Sequence, residues 1–289
     1  METSELLKKV RQIEIKSRGL SRNIFAGQYH SAFKGRGMAF SEVREYEYGD
    51  DIRDIDWNVT ARYSKPYIKV FEEERELTVM LLIDVSGSRN FGSNEIMKQD
   101  MITEIAATLA FSAIQNNDKI GVIFFSDKIE KFIPPQKGKK HILYIIRELI
   151  DFQPQNRQTN ISVVLKYLTN AIKKRCTAFV ISDYITGDKY EHALTIANNK
   201  HDMVAIQVYD SRETEIPPIG LVKIKDAESG TEQWIDTSVA KVRAGYRHWW
   251  EKRQTEMNNA FQKSRVDSVS IGTSDDYVKA LISLFNKRS

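Results

Sequence analysis

The chain has 289 residues, 41% of them hydrophobic and 28% charged, with 14 Gly and 6 Pro, a composition that supports a sizeable core and excludes collagen, a coiled coil or a disordered chain. Its single cysteine, Cys176, rules out an internal disulfide and a multi-cysteine zinc site and suits a reducing compartment. The net charge of +4 lies wholly beyond residue 76 and is spread thinly there, which is a solvated surface and not a phosphate-binding stripe, so nucleic acid is not the expected partner.

Residues 1–76 are rich in aromatics and open with helical spacing at Leu6, Val10 and Ile13. A Lys34-Gly35-Arg36-Gly37 loop follows, then GDDIRDIDWNVTAR, where Ile52, Ile55 and Val59 suit a short helix started by Asp50 or Asp51, and a strand at 67–71. The acidic run Asp50, Asp51, Asp54 and Asp56 is expected to cap and to pair with Arg36, Arg44, Arg53 and Arg62 rather than to bind a cation. This segment reads as an N-terminal wrap whose aromatics, Tyr46, Tyr48 and Trp57 among them, pack against the rest.

From residue 77 the pattern alternates short apolar runs with helical spacing. Strands are predicted at 77–84, 119–125, 128–133, 176–183, 202–209 and 266–272, and helices at 94–116, 139–152, 160–174, 188–199, 239–263 and 275–287, with Asn160 and Ser274 as caps. The 125–128 connection is too short for a crossover, so the third strand is an antiparallel edge. Residues 211–237 interrupt the alternation as a β-hairpin. The expected fold class is α/β in three layers, a mainly parallel sheet with one antiparallel edge strand, over 77–289, plus the wrap over 1–76. No apolar run approaches the ~20 residues of a membrane span, and the N-terminus lacks a signal-peptide core, so a cytoplasmic location is expected.

Asp84, Ser86 and Ser88, in LLIDVSGSRNFGS, follow the most apolar strand, where the crevice of an open α/β sheet lies. Asp183 in FVISDY ends another strand, and Thr159 in RQTNISVVL opens a helix that can face the same crevice. Together they make an oxygen-only set suited to Mg²⁺ or Mn²⁺ and unsuited to zinc. A polar strand-to-helix turn bonded to its own backbone is the competing reading. An EF-hand is excluded by Arg89 where glycine is needed, and an aspartyl phosphatase by Ser86 where a second carboxylate is needed. His30, His141, His192, His201 and His248 have no metalloprotease spacing, Cys176 reads as a core thiol, and no catalytic triad is visible.

Asp84-x-Ser86-x-Ser88, then Thr159, then Asp183, on a strand–helix alternation, resembles the metal-ion-dependent adhesion site of von Willebrand factor A domains, a Rossmann-like fold, over residues 77–289. Upstream, the run from GQYHSAFKGRG through GDDIRDIDWNVTARYSKPYIKVFEEERE into LTVMLLIDVSGS resembles the bacterial family named domain of unknown function 58. The resemblance implies a Mg²⁺ site, with Mn²⁺ or Ca²⁺ as substitutes, in which Ser86, Ser88 and Thr159 approach the ion and Asp84 and Asp183 act directly or through water. It implies a non-enzymatic module that receives a carboxylate from a protein partner, an AAA+ ATPase of the MoxR group. Arg89 departs from the Met that many relatives carry, and the lack of the membrane-spanning N-terminal part of longer members implies a cytosolic version. Two alternatives stand beside this: a metal-dependent phosphohydrolase using the same crevice, and a metal-free scaffold.

Overall fold

The computed structural model describes residues 11–13, 39–63, 65–72, 77–92, 97–228 and 230–288. Residues 11–13 are helical; the rest of the expected opening helix and the Lys34–Gly37 loop lie outside the described residues. The chain divides into two units, residues 34–77 and the remainder.

In the smaller unit, β1 (Ala39–Glu45) pairs antiparallel with β2 (Tyr67–Glu72) and bulges between Phe40 and Glu42. Between them lie a 3-10 turn, Ile52–Asp54, and a short helix α1, Trp57–Tyr63. The one helix expected here is two pieces because two aspartates each start one. Asp51 accepts from the Arg53 amide at 2.9 Å, and Asp56 accepts from the Asn58 and Val59 amides at 3.0 and 3.3 Å. Arg44 grips Asp50 through both terminal nitrogens at 2.9 and 2.7 Å, and Arg53 pairs with Asp51, so two of the four expected arginines pair with the acidic run, while Arg36 lies outside the described residues. Tyr63 stacks obliquely on Tyr67, while Tyr48 and Trp57 are exposed.

The larger unit is built on β3 (Thr78–Asp84), β4 (Lys119–Phe125), β5 (Ile129–Gln136), β6 (Thr177–Ser182), β7 (Asp202–Tyr209), a hairpin β8 (Leu221–Lys225) and β9 (Glu232–Asp236), and β10 (Asp267–Gly272). Its helices are α2 (Lys98–Gln115), α3 (Lys139–Asp151), α4 (Ile161–Ala171), α5 (Glu191–Lys200), α6 (Ser211–Thr214), α7 (Ala240–Lys263) and α8 (Tyr277–Arg288). The six-stranded sheet runs β10-β7-β6-β3-β4-β5, and only the β4–β5 pair is antiparallel. It is a mainly parallel α/β sheet with one antiparallel edge.

Strand period 2 sorts the core into two layers. Met80 and Leu82 of β3, Ile123 and Phe125 of β4, and Ala178 and Val180 of β6 pack with Val164 and Leu168 of α4, Leu194 of α5 and Phe261 of α7. The alternate residues face the other way: Phe179 of β6 meets Phe285 of α8 edge-on, and Phe124 of β4 meets Phe152 after α3. Each such fully buried aromatic or aliphatic side chain contributes about 1.5–3 kcal/mol relative to an exposed one.

Two local expectations need amendment. The edge strand β5 runs on to Gln136 through Pro134 and Pro135, which lie at the irregularity in the β4–β5 register, where an edge strand tolerates proline. The α8 cap is Asp276 and not Ser274: Asp276 Oδ1 accepts from the Val278 and Lys279 amides at 3.1 and 3.3 Å, a carboxylate being favoured by the helix dipole. Asn160 caps α4 as expected, accepting from the Val163 amide at 3.1 Å. Among the described residues no helix is long and apolar enough to cross a membrane.

Candidate metal centre

Asp84 is the last residue of β3, and the chain turns there because Ser86 folds back: its amide donates to Asp84 Oδ1 at 2.9 Å. The other carboxylate oxygen, Oδ2, accepts from the Ser182 hydroxyl at 2.6 Å and from the Thr159 hydroxyl at 3.4 Å. Ser86 Oγ and Ser88 Oγ are 3.1 Å apart. Backbone bonds hold the contributing loops together, Gly87 N to Arg157 O at 2.9 Å and Asn160 N to Ser126 O at 2.9 Å, and Thr186 Oγ1 donates to Thr159 O at 2.8 Å. The structure therefore brings Asp84, Ser86, Ser88 and Thr159 into one hydrogen-bonded cluster, buried except for the half-buried Ser88.

Asp183 follows β6 and is buried beside this cluster. Its Oδ1 accepts from the Ile185 amide at 3.0 Å and its Oδ2 from Lys98 Nζ at 2.8 Å. Tyr184, next in the chain, holds φ at 58°, a left-handed conformation unfavourable for a residue with a side chain. Packing of its ring on Tyr190 and Phe261, and its hydroxyl bond to Val180 O at 2.9 Å, fix this turn and so aim Asp183.

Burial and the neighbouring Asp183 charge push the Asp84 carboxyl up to about 6, against the opposing hydrogen bonds from Ser182 and Ser86. Lys98 is the counter-charge in this crevice. It is 1% exposed and also bonds Glu213 Oε1 at 2.6 Å; burial works against its charge, yet the two carboxylates raise its pKa. Glu213 is itself raised by burial, with Lys98 opposing. Arg89, where a Met was the familiar residue, is buried with its guanidinium donating to Phe152 O, and burial lowers its pKa.

An octahedral Mg²⁺ with oxygens at ~2.1 Å needs neighbouring ligand oxygens about 3 Å apart, and the Ser86–Ser88 hydroxyl pair at 3.1 Å meets that spacing. Among the described residues no group of three or more His, Cys, Asp or Glu is arranged to hold an ion, so a cation here depends on the hydroxyls. Sequence reasoning missed Ser182, Lys98 and Glu213. For Lys98 the signal appears only once the helix is seen to start there and not at residue 94: a cation in the first turn opposes the dipole, which asks for an anionic partner.

The chain is 28% identical over 223 residues to an uncharacterized protein of Mycobacterium tuberculosis, covering 76% of this chain and 70% of that one. Among solved structures it is similar to an aerotolerance-related membrane protein from Bacteroides fragilis, at 14% identity and a TM-score of 0.51, over 73% of this chain and 99% of that one. The von Willebrand A domain named SpRpn10 is also a structural neighbour, at 12% identity and a TM-score of 0.37, over 74% of this chain and 95% of that one. The family model described as "Protein of unknown function DUF58" matches residues 42–256, from β1 through the site to α7, and the chain belongs to that family.

Proposed function

We propose that the chain is a cation-dependent protein-binding module, with Ser86, Ser88 and Thr159 as hydroxyl ligands and Asp84 and Asp183 holding the ion directly or through water. One observation carries this reading: hydroxyls from separate loops converge on one buried carboxylate, with Thr159 Oγ1 3.4 Å from Asp84 Oδ2 and the two serine hydroxyls 3.1 Å apart. The hard oxygen set suits Mg²⁺, with Mn²⁺ and Ca²⁺ as substitutes. With few anionic ligands attached, such an ion supplies an electrophilic position for a partner's carboxylate. Catalysis is disfavoured because Lys98 is held between Asp183 and Glu213 and so is not offered to a phosphate. From the family resemblance we take the partner to be an AAA+ ATPase of the MoxR group, in the cytoplasm, a setting that the buried, unpaired Cys176 suits.

One observation favours a second reading, a metal-free scaffold: Lys98 already neutralises Asp183. Thermal unfolding in chelator and in Mg²⁺ or Mn²⁺ separates the two. At a hundredfold excess of ion over its Kd, the wild type gains about 2.7 kcal/mol, and Asp84→Ala gains nothing. No shift in the wild type would establish the scaffold. A calorimetric titration with the candidate ATPase tests the partner: Mg²⁺-dependent binding that is lost in chelator and in Thr159→Ala supports it, and equal binding throughout removes the adhesion mechanism. Phosphoester turnover abolished by Asp183→Ala would restore the phosphohydrolase.

A further inference from the structure

The β8–β9 turn lies against the Ser86–Ser88 loop. Gly87 sits between the two serines, and a Cβ built there would fall 2.4 Å from the Ala227 carbonyl oxygen and 3.3 Å from Arg157 Cβ, so the turn backbone approaches as closely as glycine allows. Glu228 is the next residue on the turn. Its carboxylate lines the same crevice as Ser88 and Asp183, and burial and the charges of Asp183 and Asp84 raise its pKa, against the Thr159 hydroxyl. Its Oε1 is buried with no hydrogen-bond partner. A buried carboxylate oxygen without a donor, facing two more carboxylates, is unfavourable until positive charge compensates it.

The turn is built to present this side chain. Asp226 Oδ1 accepts from the Glu228 amide at 3.1 Å, Asp226 O accepts from the Gly230 amide at 2.9 Å, and Gly230 takes φ of 72°, which glycine adopts without strain. The hairpin that carries it is lightly anchored: most residues of both strands are exposed, and a cavity of about 550 Å³ lies beneath it, lined by Ser88, Asp183, Ile224, Gln233, Tyr246 and Trp249.

Resting on the reading of this crevice as a cation site, we propose that Glu228 is an internal ligand, a carboxylate supplied in cis to the position that a partner's carboxylate takes in trans. The hairpin is then a built-in competitor. A partner gains the ion only by lifting the turn, and its apparent affinity falls in proportion to the fraction of molecules with the turn seated. The partner chemistry that fits is a protein segment with an acidic side chain that also covers the hairpin's exposed Leu221 and Trp234.

The test is Mn²⁺ binding to the full chain, read by calorimetry and by water-proton relaxation, which counts waters on the bound ion. Removing even an outer partner of a metal site costs on the order of tenfold to a hundredfold in affinity, so Glu228→Gln is expected to bind Mn²⁺ at least about tenfold more weakly, with higher relaxivity as water takes the vacated position. Gly87→Ala, which removes no ligand oxygen and whose Cβ would collide with the turn at the Ala227 carbonyl, is expected to raise relaxivity in the same way. If the wild type binds Mn²⁺ and both variants match it in affinity and relaxivity, Glu228 is no ligand and the cation site stands without it. If the wild type binds no Mn²⁺, the cation site itself is wrong and the internal ligand falls with it.

Discussion

Lys98 Nζ lies 2.8 Å from Asp183 Oδ2, and both side chains are almost completely buried. Removing one partner of such a pair leaves an uncompensated charge and costs about 3–5 kcal/mol. Lys98→Met is expected to lose about that much unfolding free energy in a urea titration with chelator, because Asp183 and Glu213 both lose their counter-charge. In saturating Mg²⁺ the loss should shrink, since a nearby cation stands in for the ammonium. A loss below about 1 kcal/mol in chelator would mean that the ion pair contributes little to stability.

His201 is fully buried, and burial, helped by the charges of Lys200 and Arg175, pushes its pKa down to about 4. The unfolded imidazole titrates near 6.5, so between these values the unfolded chain binds the proton that the folded chain refuses. Stability is therefore full above about pH 6.5 and falls as pH drops towards 4, by up to about 1.4 kcal/mol per pH unit. His201→Asn should be flatter than the wild type across that window in urea midpoints measured at several pH values. Parallel curves for the two proteins would show that the histidine is hydrated.

Cys176 Sγ is 3.3 Å from His201 Nδ1, and burial pushes the thiol up to about 12. The thiolate is the reactive form. A disulfide reagent at pH 8 should label the native chain only at the rate at which it opens, and label it at once in denaturant. Prompt native labelling would contradict the burial of the β6 start.

Gly121 lies at the irregularity in the β4–β5 register, and a Cβ there would fall 2.8 Å from Met80 Sδ and 2.9 Å from both Ile133 O and Pro135 N. Two of these three neighbours are backbone, so Gly121→Ala should cost about 1–3 kcal/mol, as overpacking does. A thermal midpoint equal to the wild type would show that the edge strand yields freely.

The strands were readable because runs such as TVMLLID and KIGVIFF are buried on both faces and carry no competing pattern. Asp84, Ser86 and Ser88 were readable because three oxygens stand in one turn at the end of the most apolar strand. Ser182 was not, since a lone serine in TAFVIS resembles any small residue until β6 is paired with β3. Lys98, Glu213 and Glu228 come from a helix start, a short helix and a hairpin turn, and only the tertiary fold aims them at one crevice. The acidic run at 50–56 was readable for the opposite reason: its partners are local in sequence.

Ser182 and Asp84 are hydrogen-bonded across 98 positions of chain, although β3 is the first strand of its sheet to be made. One flank of β3 can pair as soon as β4 exists, while the other must wait for β6. Closing so long a loop is the slow kind of step in folding. A nascent or truncated chain ending before residue 177 would hold Asp84 with neither Ser182 nor Asp183, so the crevice exists only in molecules whose later half has been synthesised and docked.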